Sequence, residues 1–128
     1  MIYVDTSVVL ARLLGEQGPA AESFWDGALV ASRLVEYETW NCLRTYEASE
    51  THGEIASALL GRISFVELRG PVLERALQPF PSPVGTLDAL HLASADFLRA
   101  RSPKLRIATY DERFATAARA MDFEVLSP

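Results

Sequence analysis

Five short runs of β-favouring apolar residues recur along the chain: IYV (2–4), ALVAS (28–32), SFVEL (64–68), LRIATY (105–110) and FEVL (123–126). Stretches compatible with helix separate them. Strands that alternate with helices predict an α/β fold built on a mostly parallel sheet. The first helix is expected over Thr6–Leu14, stopped by Gly15, and a second over 19–27, opening at Pro19, since proline suits a first helical turn. Further helices are predicted over 33–49 with Ser32 as N-cap, over 52–62, after Pro71, from Thr86 as N-cap to Arg99, and over 112–120. The proline cluster PFPSPVG (79–85) removes backbone donors and reads as a loop.

The chain of 128 residues fits one domain spanning 1–128, long enough to bury a core without staples. Apolar residues make up 49%, which argues against disorder. A lone cysteine, Cys42, leaves no internal disulfide framework. No basic stretch followed by an apolar core marks a signal peptide, and no run approaches the roughly 18 apolar residues of a membrane span, so the expected address is the cytoplasm. The net charge of −5 lacks the basic excess common in nucleic-acid binders. All of the 12 basic residues except Lys104 are arginine, a residue suited to phosphate and carboxylate contacts.

In parallel sheets ligands bind beyond the carboxyl ends of the strands. Two aspartates stand there. Asp5 follows IYV, and Asp111 follows the run ending in Tyr110. Each is also well placed to cap the next helix, and position alone leaves cap and site open. Asp88, in GTLDALHLASADFL, falls in the first turn of its helix, where the dipole favours an anion. That helix is apolar nearly all round, which predicts burial and a partner or a metal for the acid. In SRLVEYETWNCL helical phase does not separate Glu38 from Glu36. Carboxylates gathered at one sheet edge would repel one another, and hard divalent cations that prefer oxygen ligands, such as magnesium or manganese, relieve that repulsion.

Little else in the chain carries chemistry. His52 and His91 lack metal-ligand spacing, and His91 reads as a buried core or supporting histidine rather than a ligand. Cys42 reads as an inert buried thiol. The glycines are scattered, so phosphate-loop and dinucleotide fingerprints are both missing.

The segments YVDTS (3–7), SRLVEYE (32–38), LDALHLASA (87–95) and TYDERFATAARAMDFEV (109–125), in this order and spacing, resemble a PIN domain of the VapC toxin type nearly end to end. The resemblance implies a three-layer α/β/α sandwich with a mostly parallel central sheet. It also implies a metal-dependent ribonuclease whose four acids would be Asp5, Glu38, Asp88 and Asp111. Glu38 is preferred to Glu36 because it lies six residues after the serine of the S-x-L start. Asp5 and Asp88 would be the main ligands of Mg²⁺ or Mn²⁺. Glu38 and Asp111 would hold a second ion or orient the water, and cleavage would leave a 5′-phosphate and a 3′-hydroxyl. Thr6, Ser7 and Thr109 fall where relatives carry supporting hydroxyls, while Asp122 departs from a glycine common before the last strand. Arg12, Arg33, Arg44 and Arg113 are candidates to line an RNA-binding rim.

The resemblance further implies a small VapB-type antitoxin whose C-terminal segment blocks the site and which carries any DNA binding. A homodimer is implied as well, to which Phe24, Trp25, Tyr37 and Trp40 could contribute apolar surface. The other functions open to such a chain are a different metal-dependent phosphoesterase or DNA nuclease, and a catalytically silent PIN binding module.

Overall fold

The computed structural model describes residues 1–16 and 20–128. The elements follow in the order β1 (Ile2–Val4), α1 (Thr6–Leu14), α2 (Glu22–Trp25), β2 (Leu29–Ser32), α3 (Leu34–Thr45), α4 (Ser49–Leu60), β3 (Ile63–Val66), α5 (Gly70–Ala76), α6 (Thr86–Arg99), β4 (Arg106–Ala108), α7 (Glu112–Ala120) and β5 (Glu124–Leu126). The strands form one sheet in the order β3-β2-β1-β4-β5, and every pairing is parallel.

Side chains alternate across the strands as the pleat requires, and this produces the layers. Val4, Leu29, Ala31 and Ala108 turn to one face, where they pack with Val8 and Leu13 of α1, Val35 and Leu43 of α3, and Leu59 of α4. Tyr3, Val30 and Ile107 turn to the other, where Leu92 and Ala95 of α6 and Phe114 and Ala118 of α7 cover them. The result is the expected three-layer α/β/α sandwich. Helix α5 packs on α6.

Several boundaries differ from the sequence reading. The expected start of a helix at Pro19 lies outside the described residues, and beyond them the helix is one short turn, Glu22–Trp25. The stretch 33–49 is not one helix: it breaks after Thr45, and the next begins at Ser49 instead of residue 52. Glu47 sits at φ 53° in the break, and the Ala48 N–H returns to the Leu43 carbonyl at 2.7 Å. Ser32 is not the N-cap of α3 but the last residue of β2. Arg33 takes the cap position, although the Ser32 hydroxyl still accepts the Leu34 N–H at 3.2 Å. Thr86 is the first residue of α6, and Gly85 is its N-cap.

Gly15 ends α1 as expected, at φ 69°. Asp122 has φ 64° between α7 and β5. That left-handed conformation suits glycine and is tolerated by aspartate, which accounts for the departure at this turn. Among the described residues no helix is long and apolar enough to cross a membrane.

The strand order changes direction at β1. From there β2 and β3 extend the sheet one way, β4 and β5 the other. Neighbouring strands whose crossovers leave in opposite directions open a crevice at their carboxyl ends. Here that switch point lies between β1 and β4, paired in register Val4 with Ala108, and the ladder continues with the Asp5 N–H donating to the Ala108 carbonyl at 3.0 Å.

Candidate active site

Asp5 leaves β1 in extended conformation and occupies the N-cap position of α1, yet its carboxylate makes no capping bond. Instead Oδ2 accepts two hydroxyls at 2.7 Å, Ser7 Oγ from the first turn of α1 and Thr109 Oγ1 from the end of β4. Both hydroxyls are held in turn. Ser7 Oγ accepts the Tyr110 N–H, and Thr109 Oγ1 accepts the Asp111 N–H, each at 2.9 Å. The crevice between the two strands is thus laced by hydroxyls that converge on one oxygen of a carboxylate only 7% exposed. Among the described residues the side-chain hydrogen bonds to Asp5 all fall on Oδ2.

Asp111 behaves differently. It caps α7, with Oδ1 accepting the backbone N–H groups of Arg113 and Phe114 at 2.9 and 3.2 Å. Glu112, beside it, is an exposed first-turn charge, as expected.

Asp88 lies in the first turn of α6, which is half-exposed. The expected burial of this helix holds for its middle, His91 to Ala95, but not for its start, where Leu87 is exposed. Burial raises the Asp88 carboxyl above its ordinary value, and the negative charges of Asp111 and Asp5 raise it further. The positive charge of Arg113 pulls the other way. Asp5, Asp88 and Asp111 therefore share one electrostatic neighbourhood, brought from residues far apart in the chain.

Glu38 enters from α3. Its Oε1 accepts Thr6 Oγ1 at 3.0 Å and lies 2.6 Å from His91 Nε2. Glu36 turns away and pairs with Arg33 at 3.3 Å on the half-exposed side. The two glutamates that helical phase left undivided therefore face different surroundings. Behind Glu38, Tyr3 Oη lies 2.8 Å from His91 Nδ1 and accepts the Ser32 N–H at 3.2 Å. The sequence predicts a supporting role for His91, whereas Tyr3 reads there only as strand core. The one local signal for the pair was the three-residue step from Asp88 to His91 along one helix face.

Two small hollows flank the acids. One, of about 270 Å³, is lined by Asp88 and Arg113 with the loop before α6. The other, of about 230 Å³, is lined by Ser7, Tyr110 and Asp111. Of the arginines expected at a rim, Arg12 pairs with Glu22, and Arg33 pairs with Glu67 and Glu36, so both are committed to ion pairs. Arg113 lies close enough to act on the Asp88 charge. Of the aromatic residues expected to exceed the core, Trp25 is buried, Phe24 and Trp40 pack against the core, and Tyr37 is 61% exposed. Cys42 is half-buried, and burial pushes its thiol up.

The donor set is wholly oxygen, the kind that hard cations prefer. Among the described residues no three His, Cys, Asp or Glu side chains form a ready metal cage. Glu38 and Asp111 each have one oxygen engaged by protein donors, and the hydroxyls on Asp5 share a single oxygen. The other oxygens of these carboxylates carry no hydrogen bond from the described residues, and burial with the charges of Asp111 and Asp5 leaves the Asp88 carboxyl raised.

A family model described as PIN domain matches residues 2–120. The chain is 30% identical over 134 residues to Ribonuclease VapC35 of Mycobacterium tuberculosis, in strains CDC 1551 / Oshkosh and ATCC 25618 / H37Rv, covering 100% of this chain and 97% of that protein. It is 29% identical over 136 residues to Ribonuclease VapC47 of the CDC 1551 / Oshkosh strain, with the same coverage.

Proposed function

The chain belongs to the PIN domain family, and on that premise we propose that it is a divalent-metal-dependent endoribonuclease of the VapC toxin type, held in check by a small VapB-type antitoxin. The observation that carries the reading is Asp5: a nearly buried carboxylate at a helix N-cap that does not cap, held by hydroxyls from the first turn of α1 and the end of β4, beside Asp88 and Asp111. A carboxylate committed to structure alone would bond the helix N–H groups, as Asp111 does.

Asp5 and Asp88 are the main ligands in this reading, with Glu38 and Asp111 completing the set. A bound Mg²⁺ or Mn²⁺ supplies charge stabilisation at the attacked phosphate and lowers the pKa of a bound water. The protein's own groups do the rest. Ser7 and Thr109 donate to Asp5 and fix its orientation. Thr6 and His91 do the same for Glu38. Capping of α7 by Asp111 Oδ1 holds that side chain at the crevice mouth. Arg113, on the wall of the hollow that contains Asp88, offers a cation to the phosphate backbone of RNA.

The antitoxin follows from the same charge. A basic side chain brought into the acids would pair with them and displace metal or substrate. An apolar groove of about 430 Å³, lined by Leu73, Leu77, Phe80, Val84 and Leu90, adjoins the start of α6 and suits the apolar residues of such a segment.

The test uses the purified chain freed of any partner, assayed on RNA, DNA and a small phosphate ester. RNA is expected to be cut with Mg²⁺ or Mn²⁺, not in EDTA, and Asp5→Asn or Asp88→Asn to lose about 100-fold or more in rate. Undiminished cleavage in EDTA overturns the metal mechanism. Equal cleavage of DNA replaces the ribonuclease with a broader nuclease, and no cleavage of any substrate leaves a binding module.

A further inference from the structure

We propose that His91 is a positioning residue that fixes the Glu38 carboxylate in the site, and that the Tyr3 hydroxyl holds the imidazole in the tautomer this requires. The proposal deepens the function above and rests on it in one respect, that Glu38 is a metal ligand.

Glutamate has three rotatable bonds, so a ligand of this type must be held before binding or lose rotamer freedom on binding. Two donors hold Glu38. Thr6 comes from the residue after Asp5, and His91 lies one helical turn beyond Asp88. Both bond Oε1, which leaves Oε2 as the oxygen on offer. The elements that present Asp5 and Asp88 therefore also set the rotamer of Glu38.

The direction of the chain of hydrogen bonds follows from its far end. The Tyr3 oxygen accepts the Ser32 backbone N–H, which can only donate. A phenol carries its proton at neutral pH, and with the Ser32 N–H already on its oxygen the Tyr3 hydroxyl donates that proton to Nδ1. With Nδ1 accepting, the ring proton sits on Nε2 and is given to Glu38. The imidazole is 2% exposed and stands edge-on to Tyr3 and Phe114, at centroid distances of 6.2 and 6.0 Å, so its orientation is set by packing as well. A supporting group of this kind typically changes metal affinity about 10–100-fold when lost.

Two measurements decide. Long-range ¹H–¹⁵N spectra of the metal-free protein should show His91 with a protonated Nε2 and an accepting Nδ1, and the Nε2 proton should shift in Glu38→Gln. A proton on Nδ1, or on both nitrogens, overturns the proposal. Calorimetric titration with Mn²⁺ should show His91→Leu binding about 10–100-fold more weakly. His91→Gln, whose amide nitrogen can stand near the Nε2 position, should recover most of the loss, and Tyr3→Phe should show a smaller weakening. Because His91 acts through Glu38, adding His91→Leu to Glu38→Gln should weaken binding no further. Wild-type affinity in a folded His91→Leu, or a further loss in the double variant, overturns it. Should His91→Leu not fold, His91→Gln and Tyr3→Phe carry the test, and wild-type spectra and affinity in Tyr3→Phe overturn the role given to the hydroxyl. A wild type that binds Mn²⁺ but cuts no RNA refutes the nuclease and leaves the positioning role; one that binds no Mn²⁺ overturns both.

Discussion

Asp5 and Asp111 both follow a strand, both have extended backbone and both stand at a helix N-cap, but only Asp111 bonds the helix. This separates their expected effects on stability. Asp111→Ala should cost about 1 kcal/mol in urea unfolding, and Asp111→Asn much less, because asparagine caps comparably. Asp5→Asn should leave stability unchanged or slightly raised in the absence of metal, since its amide oxygen can still accept both hydroxyls and one charge leaves a repulsive group. A loss at Asp5→Asn as large as at Asp111→Ala would mean that Asp5 serves the helix after all. The glutamates of α3 divide in a similar way. Glu36 makes a half-exposed i,i+3 pair with Arg33, a kind worth about 0–1 kcal/mol. Glu36→Gln should therefore change stability by no more than about 0.5 kcal/mol and leave Mn²⁺ titration curves as in the wild type, whereas Glu38→Gln should weaken them.

At the scale of elements, α6 does two jobs on two faces. Its first turns carry Asp88 and His91 toward the sheet's carboxyl edge. Further along, Asp96 accepts Arg75 Nε from α5 at 2.7 Å and Arg99 Nη2 at 2.6 Å. Arg99 also donates to the Met121 carbonyl at 2.6 Å and lies 3.9 Å over the Phe123 ring, so the clamp reaches the end of α7. Burial alone would raise the Asp96 carboxyl, but the hydrogen bonds and charges of the two arginines outweigh it and hold the group below its ordinary value of 3.8. A carboxyl lowered by folding adds stability above its unfolded pKa and loses it as pH falls through the lowered folded value. Asp96→Asn should accordingly be less stable than the wild type at neutral pH, by on the order of 1 kcal/mol after allowing for the solvent that still reaches the pair. The gap should close as the medium is acidified below the ordinary aspartate range. Denaturant melts of both proteins along a pH series check this, and a gap independent of pH would show that the ion pairs contribute nothing.

Over the whole molecule, the reversal of strand order at β1 places the ends of β1 and β4 side by side with opposed crossovers, and the proposed site lies at that edge. In the proposed function an ion binds carboxylates that only the folded chain brings to one edge, so it would stabilise the fold by mass action. Mn²⁺ at about 100-fold above its Kd should add about 2.7 kcal/mol, raising the melting temperature of the wild type but not of the Asp5→Asn/Asp88→Asn variant. An equal rise in both would place the ion elsewhere on this acidic surface.

The alternation of strand and helix, and with it the parallel α/β class, was legible in the sequence because both depend on periodicities local to each segment. The placing of acids after IYV and in ATYDERF was legible for the same reason, whereas the turn at Asp122 came from the family resemblance. Local pattern did not reveal the break at Glu47, where a single left-handed residue redirects an otherwise helical stretch. Nor did it reveal whether Asp5 caps, which of Glu36 and Glu38 turns inward, or that Tyr3 reaches Glu38 through His91. These depend on contacts between residues separated by 32 to 104 positions, and such contacts exist only once the strand order is set. An N-cap aspartate has the same local energy whether its oxygens meet helix N–H groups or the hydroxyls of a neighbouring strand; the register of β1 against β4 brings Thr109 to Asp5, and tertiary structure alone decides between the two.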